Sequence, residues 1–453
     1  MKTPSLLILS GLVLISTLLM SVGHSTMSAS PLGQDLAATS EHPPFDCGGE
    51  RCDSVARGFR AFFDRRLHGL DGNGRSCADC HMATDHFQLS PASAEARFQF
   101  LQFLRQFNPK ADDPLFRPID ADDFRTNGEN ATDYSNLRQN GLIRITFPLP
   151  PTMRLIDSAT NLPSAESFVD VWRMVPTVND VALTGPDGAN PWPRGPNFFG
   201  GYQLDARVGT LQEQALGALT NHAQIHNAAP QQLLDDLSSF QRVQFTNQRI
   251  RELSDAIGAG AAPLPDPDPP LNALEEQGKV VFVRACAQCH GGPRMSTATL
   301  PVRYHDIGSQ CPRPVDTATP PRFAFKACSP RLARNARTYE IMLINGTTAR
   351  RTSSDPGRAL LTGFVGGPAP NDDWNKFDVP GLRGISRTAP YFHNNSADTL
   401  EEVVDHYIEF FKRVEALAAP GVVPPVATTD GVHFDRRPTL EERPALLAYL
   451  RKL

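Results

Sequence analysis

The sequence predicts a mainly α-helical fold of two domains built to one plan, with long loop insertions. Three observations carry this. The pattern Cys-x-x-Cys-His occurs twice, as Cys77-Ala78-Asp79-Cys80-His81 and Cys286-Ala287-Gln288-Cys289-His290. Each copy follows an apolar stripe at helical spacing: Val55, Phe59, Phe62, Phe63 and Leu67 lead to the first, and Leu274, Gly278, Val281, Phe282 and Ala285 to the second. Between them lies Ala262-Pro-Leu-Pro-Asp-Pro-Asp-Pro-Pro270, whose prolines favour an extended spacer. A length of 453 residues leaves room for two or three domains.

Taken in order, the chain begins with Lys2 and the apolar run Leu6 to Met20, which read as a signal peptide over 1–25. The run is short for a spanning helix. The expectation is an exported, periplasmic protein with no membrane span after signal removal. A loose leader follows over 26–44. The first domain is expected over 45–262, with an irregular insertion rich in Asp, Asn, Pro and Arg at about 107–165. Residues 210–220 and 230–258 look helical, the latter with a stripe of Leu233, Leu234, Leu237, Phe240 and Val243. After the linker 263–271, the second domain spans 272–453. Leu400, Val403, Val404, Tyr407, Ile408 and Phe411 mark one helix there, and Leu440, Leu446, Leu447 and Leu450 a terminal one. Forty prolines argue against a coiled coil or simple bundle. The net charge of −5 offers no basic surplus for phosphates, so nucleic acid is excluded as a partner. Four further cysteines, Cys47 with Cys52 and Cys311 with Cys328, suit two local disulfides in an oxidising compartment.

Cys-x-x-Cys-His is the signature of covalently attached c-type haem. Two thiols about one helical turn apart reach the two vinyl groups, and the adjacent histidine meets the iron. A redox cysteine pair or a zinc site are the alternatives. Two copies in an exported chain, each without a neighbouring second Cys/His pair, favour two haems c, bound by Cys77, Cys80, His81 and by Cys286, Cys289, His290. Each domain is then expected to be cytochrome c-like. The far side of each iron decides between electron transfer and an open reactive site. For the first haem the residues available are His86, His222, His226, Met153 and Met174. For the second they include Met295, Met342, His305, His393, His406 and Tyr407.

Phe62-Phe63-Asp64-x-Arg66-Leu67, Ser76-Cys-Ala-Asp-Cys-His81 and Phe87 resemble the first-haem region of the bacterial di-haem cytochrome c peroxidase and MauG family. Val379-Pro-Gly-Leu-Arg-Gly-Ile-Ser-Arg-Thr-Ala-Pro-Tyr-Phe-His-Asn394 and Thr399-Leu-Glu-Glu-Val-Val404 resemble its second-domain signature. Arg173 with Pro176-Thr177-Val178-Asn179, and Leu211-x-Glu-Gln-Ala215, fit the stretch between. The segment near 107–165 lies outside the resemblance, which implies that peroxide reacts at the first haem and that electrons pass through the second.

Several positions select within the family. Tyr407 falls where peroxidases carry a methionine ligand of the second haem and MauG-like members a tyrosine; phenolate ligation lowers the potential. No histidine occurs from Leu162 to Trp172, where peroxidases carry one that caps the resting first haem, so an open first haem is implied. Gln224 aligns with the distal glutamate, and an amide hydrogen-bonds but does not exchange protons as a carboxylate does. Leu204 stands where many members have tryptophan between the haems, with Trp192 and Tyr202 as substitutes. Arg173, Arg207 and Arg383 fit arginines that pair with propionates or support the interdomain contact; Arg173 joins Gln224 as a candidate catalytic residue. An interdomain calcium, held partly by backbone oxygens around Thr388 and Pro390, is a further expectation, although Met174 replaces its asparagine ligand and a thioether suits calcium poorly.

Three functions follow from this. One is a peroxidase reducing hydrogen peroxide with electrons from a small donor protein such as a cytochrome c or cupredoxin. Another is a MauG-like oxidase of a protein or other substrate. The third is a non-catalytic electron-transfer cytochrome.

Overall fold

The computed structural model describes residues 47–117, 119–121, 123–126, 129–132, 134–184, 201–296, 304–309, 330–367, 372–417, 426–427, 433–434 and 436–453. The expected signal peptide and leader, Trp192, Cys311 and Cys328 lie outside them. From the N-terminus the elements are α1 (Cys52–Phe63), α2 (Pro91–Arg105), the hairpin β1 (Asp123–Thr126) and β2 (Glu129–Thr132), α3 (Ser135–Asn140), β3 (Leu142–Pro148), β4 (Met153–Leu155), β5 (Phe168–Met174), α4 (Val181–Thr184), α5 (Leu211–Asn221), α6 (Gln231–Arg242) and α7 (Gln248–Gly258). After the Pro-rich stretch come α8 (Ala273–Ala285), α9 (Ala287–His290), β6 (Tyr304–His305), α10 (Pro330–Ala333), β7 (Arg337–Met342), β8 (Thr348–Ser353), α11 (Ala359–Thr362), β9 (Phe377–Asp378), α12 (Leu400–Leu417), β10 (Val426–Ala427), β11 (His433–Phe434) and α13 (Arg443–Leu450). The fold is helix-rich with some sheet.

The helices start where the sequence supplies caps. Ser90 accepts from the amide of Ser93 ahead of Pro91 at the first position of α2. Asn272 and Glu275 form a reciprocal capping box on α8. The 230–258 stretch is not one helix. Asp180 accepts from the Thr246 amide at 2.8 Å and Asn247 caps α7 through the Ile250 amide, so the chain breaks between α6 and α7. Leu440, expected in the terminal helix, is exposed and precedes it.

Two helix crossings repeat. Gly58 on α1 lies against α6, where an added Cβ would come within 1.9 Å of the Asp236 carbonyl oxygen and 2.9 Å of the Phe240 Cβ. Gly278 on α8 lies against α13, where the same atom would come within 2.0 Å of the Ala445 carbonyl oxygen and 2.8 Å of the Tyr449 Cβ. One turn further on, Phe62 packs on Phe240 with ring centroids 5.0 Å apart, and Phe282 on Tyr449 at 5.5 Å. Each crossing anchors an apolar core: one around Phe62, Leu219, Leu237 and Phe240, the other around Phe282, Val404, Leu446 and Tyr449.

The 107–165 segment differs from the irregular loop expected of it. It contributes β1 to β4: β3 pairs antiparallel with β5, and β4 with β7, which continues to β8. One sheet thus takes strands from both sides of the Pro-rich stretch and closes over a third core of Phe147, Val171, Tyr339, Ile341 and Trp374. These strands are short or do not alternate in burial, so period-2 patterning does not reveal them. Cys47 and Cys52 form the first expected disulfide.

The crossings yield a stability prediction. Gly58→Ala and Gly278→Ala each force a methyl group into backbone and should each cost ~1–3 kcal/mol. Thermal unfolding followed by far-ultraviolet circular dichroism should show a lowered midpoint for both; a variant as stable as the parent would mean the helices part without cost.

Candidate functional site

Both Cys-x-x-Cys-His motifs fold as one tight turn. The His81 amide donates to the Cys77 carbonyl at 2.9 Å, and the His290 amide to the Cys286 carbonyl at 2.8 Å. Cys77, Cys80, Cys286 and Cys289 form no disulfide. Burial pushes the Cys77, Cys80 and Cys286 thiols up to about 12, keeping them protonated. Nδ1 of His81 lies 3.0 Å from the Phe87 carbonyl and Nδ1 of His290 lies 3.1 Å from the Pro380 carbonyl. A carbonyl only accepts, so in each ring Nδ1 carries the proton and the lone pair sits on Nε2, the form that ligates a metal. Burial also pushes His81 down to about 4, against the pull of the Phe87 carbonyl.

Around the first motif lies a polar network that sequence reading did not find. Asp79, inside the motif, accepts from the Ser76 amide at 2.9 Å and pairs with Arg65 at 2.6 Å and Arg97 at 3.0 Å. Gln288 at the matching place of the second motif is exposed. Arg75 is fully buried and pairs with buried Asp120. It also donates to the carbonyls of Pro114 and His222, each at 2.9 Å. Nδ1 of His222 lies 2.6 Å from Asp120 Oδ1. Gln224, in a left-handed turn just beyond, is exposed and accepts from Asn73 at 3.1 Å. Arg75 stands two residues before Cys77 and holds Asp120 and the His222 carbonyl, so the group is tied to the motif. Of the other residues considered for the first haem's far side, Met153 is buried in the sheet core, Met174 packs beside Leu142, Trp172 and Leu332, and His86 and His226 are exposed.

Around the second motif the lining is aromatic and apolar. Tyr407 packs against the same core as Cys286, and burial, then Cys289 and Cys286, push its phenol up. Phe392, Phe410 and Phe411 surround its ring at 6.2–6.4 Å, and Met295 lies buried in the same core. Nε2 of His406 lies 2.7 Å from the Ile307 carbonyl. His393 stacks on Phe377 at 4.0 Å and meets Ser309 at 3.2 Å, while Met342 is exposed. The residues fit a haem. Besides the thiols and histidine, Arg383 keeps a buried, unpartnered Nε–H and reaches the Pro293 carbonyl, just past the motif, at 3.4 Å. Such an orphaned donor suits a propionate. Asp268 of the Pro-rich stretch pairs with this arginine, with Lys279 at 2.9 Å and with the Tyr449 hydroxyl at 3.1 Å. The spacer is thereby tied to α8 and α13.

No family model matches the chain. A curated relative, the cytochrome-c peroxidase IdrP2 of Denitromonas iodatirespirans, is 27% identical over 139 residues, which is 30% of this chain and 32% of the relative. The match therefore spans about a third of that protein's length. Among solved structures, a MauG-like protein associated with microbial copper homeostasis is 18% identical at a TM-score of 0.43, covering 93% of this chain and 95% of that one. The diheme peroxidase BthA from Burkholderia thailandensis is 18% identical at a TM-score of 0.40, covering 88% and 86%. The chain resembles the di-haem cytochrome c peroxidase and MauG family.

The family's arginine position, Arg173, lies at the end of β5 and is 1% exposed. Its guanidinium pairs with Asp355 at 2.6 Å and with Asp205, and lies 4.8 Å from the centre of the Phe147 ring. Arg207 also holds Asp205, at 2.8 Å. Arg173 therefore joins β5 to the turn before α11, and is spoken for by carboxylates. The family's calcium finds little here: the Ala389 carbonyl accepts from Gln88 at 3.0 Å, Met174 offers only sulfur, and among the described residues no three His, Cys, Asp or Glu side chains gather. The residues do not fit calcium.

Burial alone would raise Asp205, yet Arg207 and Arg173 outweigh it and hold the carboxyl at about 2. Its stabilising contribution is full above the unfolded value of about 4 and is lost as the pH falls toward 2. Arg173→Met leaves buried carboxylates less compensated, a loss of ~3–5 kcal/mol. Acid titration by circular dichroism should show this variant unfolding at a higher pH than the parent.

Proposed function

We propose that the chain is an exported, periplasmic di-haem c-type oxidoreductase of two cytochrome c-like domains, 45–262 and 272–453, whose first site meets hydrogen peroxide. A small electron-donor protein feeds the second site. The observation that carries the reading is the repeat: a glycine helix crossing, two thiols one turn apart and a carbonyl-anchored histidine occur together twice. Cys77, Cys80 and His81 would hold one haem, and Cys286, Cys289, His290 and Tyr407 the other. Bound there, haem iron supplies the redox chemistry.

The chain's own residues do the rest. The Phe87 and Pro380 carbonyls orient the two histidines through Nδ1. The apolar core around Val281, Phe282 and Val404 keeps water from the second motif. Arg383 Nε–H offsets a propionate charge. Arg173, with its carboxylates, acts as a positioning residue between the motif-bearing halves. Gln224 Oε1 is held by Asn73 and moves no proton.

A second reading, a MauG-like oxidase of a protein substrate, is supported by Tyr407, which packs against the same core as Cys286.

Purified holoprotein should carry two haems per chain that resist acid-acetone extraction; one haem, or bound zinc, would sink the reading. Tyr407→Phe should change the absorption spectrum of one haem while the circular dichroism of the folded chain stays the same. An unchanged spectrum would return Tyr407 to the core as packing. Oxidation of a reduced donor cytochrome by peroxide, against oxidation of a partner protein without such a donor, separates the two enzymatic readings.

A further inference from the structure

We propose that the His222–Asp120 pair is the proton-transfer group of the first haem site, with a carboxylate from the 107–165 segment doing the work that glutamate does elsewhere and Gln224 cannot. The inference rests on the proposed reaction with peroxide. Three facts place the pair. Nδ1 of His222 lies 2.6 Å from Asp120 Oδ1. Because a carboxylate accepts, Nδ1–H is the donor, and proton exchange falls to Nε2. The pair is tied to the motif, since Arg75, two residues before Cys77, binds both Asp120 and the His222 carbonyl.

The pair is built rather than incidental. Asp120 is 2% exposed and its second oxygen is held by Arg75, itself 2% exposed. Arg75 stands two residues before Cys77, so the carboxylate is fixed to the motif itself. The His222 carbonyl is gripped twice, by Arg75 Nη1 and Asn73 Nδ2, each at 2.9 Å. Asn73 also donates its amide to the Ala223 carbonyl at 2.8 Å. The histidine side chain is partly exposed where Asp120 is not. An imidazole with one nitrogen on a buried carboxylate and the other turned from it is an acid/base group whose tautomer is set.

The step balances as a proton relay. Nε2 takes the proton from one oxygen of hydrogen peroxide, breaking that O–H bond, and gives it to the other oxygen. That oxygen leaves as water when the O–O bond breaks. The oxygen left behind takes two electrons from the donor protein and two protons from solvent and leaves as a second water. Asp120 gains no proton and acts as a positioning residue.

The test uses full-length holoprotein and two ferric or ferrous haem ligands besides peroxide. Hydrogen cyanide must lose a proton to bind, whereas nitric oxide need not. His222→Gln should slow both cyanide association and the peroxide reaction by about 10²-fold, with nitric oxide association within about twofold of the parent. Asp120→Asn leaves the ring in place and should slow the same two reactions by about tenfold. Added imidazole should restore part of the cyanide rate in the His222 variant. Unchanged cyanide rates in both variants would overturn the proposal. So would an equal slowing of nitric oxide, which would mean the ring shapes the pocket, or a low-spin to high-spin change on losing His222, which would make it an iron ligand. A parent protein that binds cyanide but ignores peroxide would instead overturn the proposed function, and the cyanide comparison would still judge the pair.

Discussion

The approach of backbone to backbone at Gly58 and Gly278 is the constraint on which the rest depends. A side chain at either position would hold the helices apart, and the next contact along, Phe62 with Phe240 or Phe282 with Tyr449, needs them close. With the crossing closed, each first helix delivers its chain to a Cys-x-x-Cys-His turn beside its own apolar core. The turn then places two thiols and a histidine on one side. A cofactor bound there would complete a core that the protein alone leaves lined with neutral thiols.

What joins the two halves is of another kind. Strands β4 and β7 pair across the Pro-rich stretch, and at the end of β5 the buried Arg173 draws in Asp205 from one side and Asp355 from the other. Buried charge is expensive unless fully paired. Here two carboxylates and two aromatic faces surround one guanidinium, so the arrangement tolerates little change in spacing. An arginine so occupied is better placed to hold two sites at fixed separation than to act on a substrate.

The helices and motifs were legible because their signals are local: helical stripes, caps and a five-residue pattern repeat in the sequence itself. Tyr407 was legible only through the resemblance, since on its own an aromatic residue on α12 reads as packing. The sheet was not legible, because its strands find partners up to some two hundred residues away and are short or do not alternate in burial. For the same reason Asp120 escaped notice. It lies in a stretch without periodicity, and its meaning comes from Arg75 and His222, neither of which is near it in the chain. Nothing in the sequence sets Gly58 apart; only the twin contact at Gly278 shows what it does.

The two motifs share a turn and differ in what surrounds it. Asp79 in the first recruits Arg65 and Arg97, and beyond it Arg75, Asp120 and His222 bring hydrogen-bonding groups to the edge of solvent. Gln288 in the second recruits nothing of that kind, and Tyr407 sits among Phe392, Phe410 and Phe411. A site that must exchange protons needs polar groups and a path to water, while one that only passes electrons is served by a dry, aromatic wall. In the proposed reading, the division of labour between the haems is therefore written in the residues around the motifs and in Asp79 and Gln288 within them, while the cysteines and histidine are common to both.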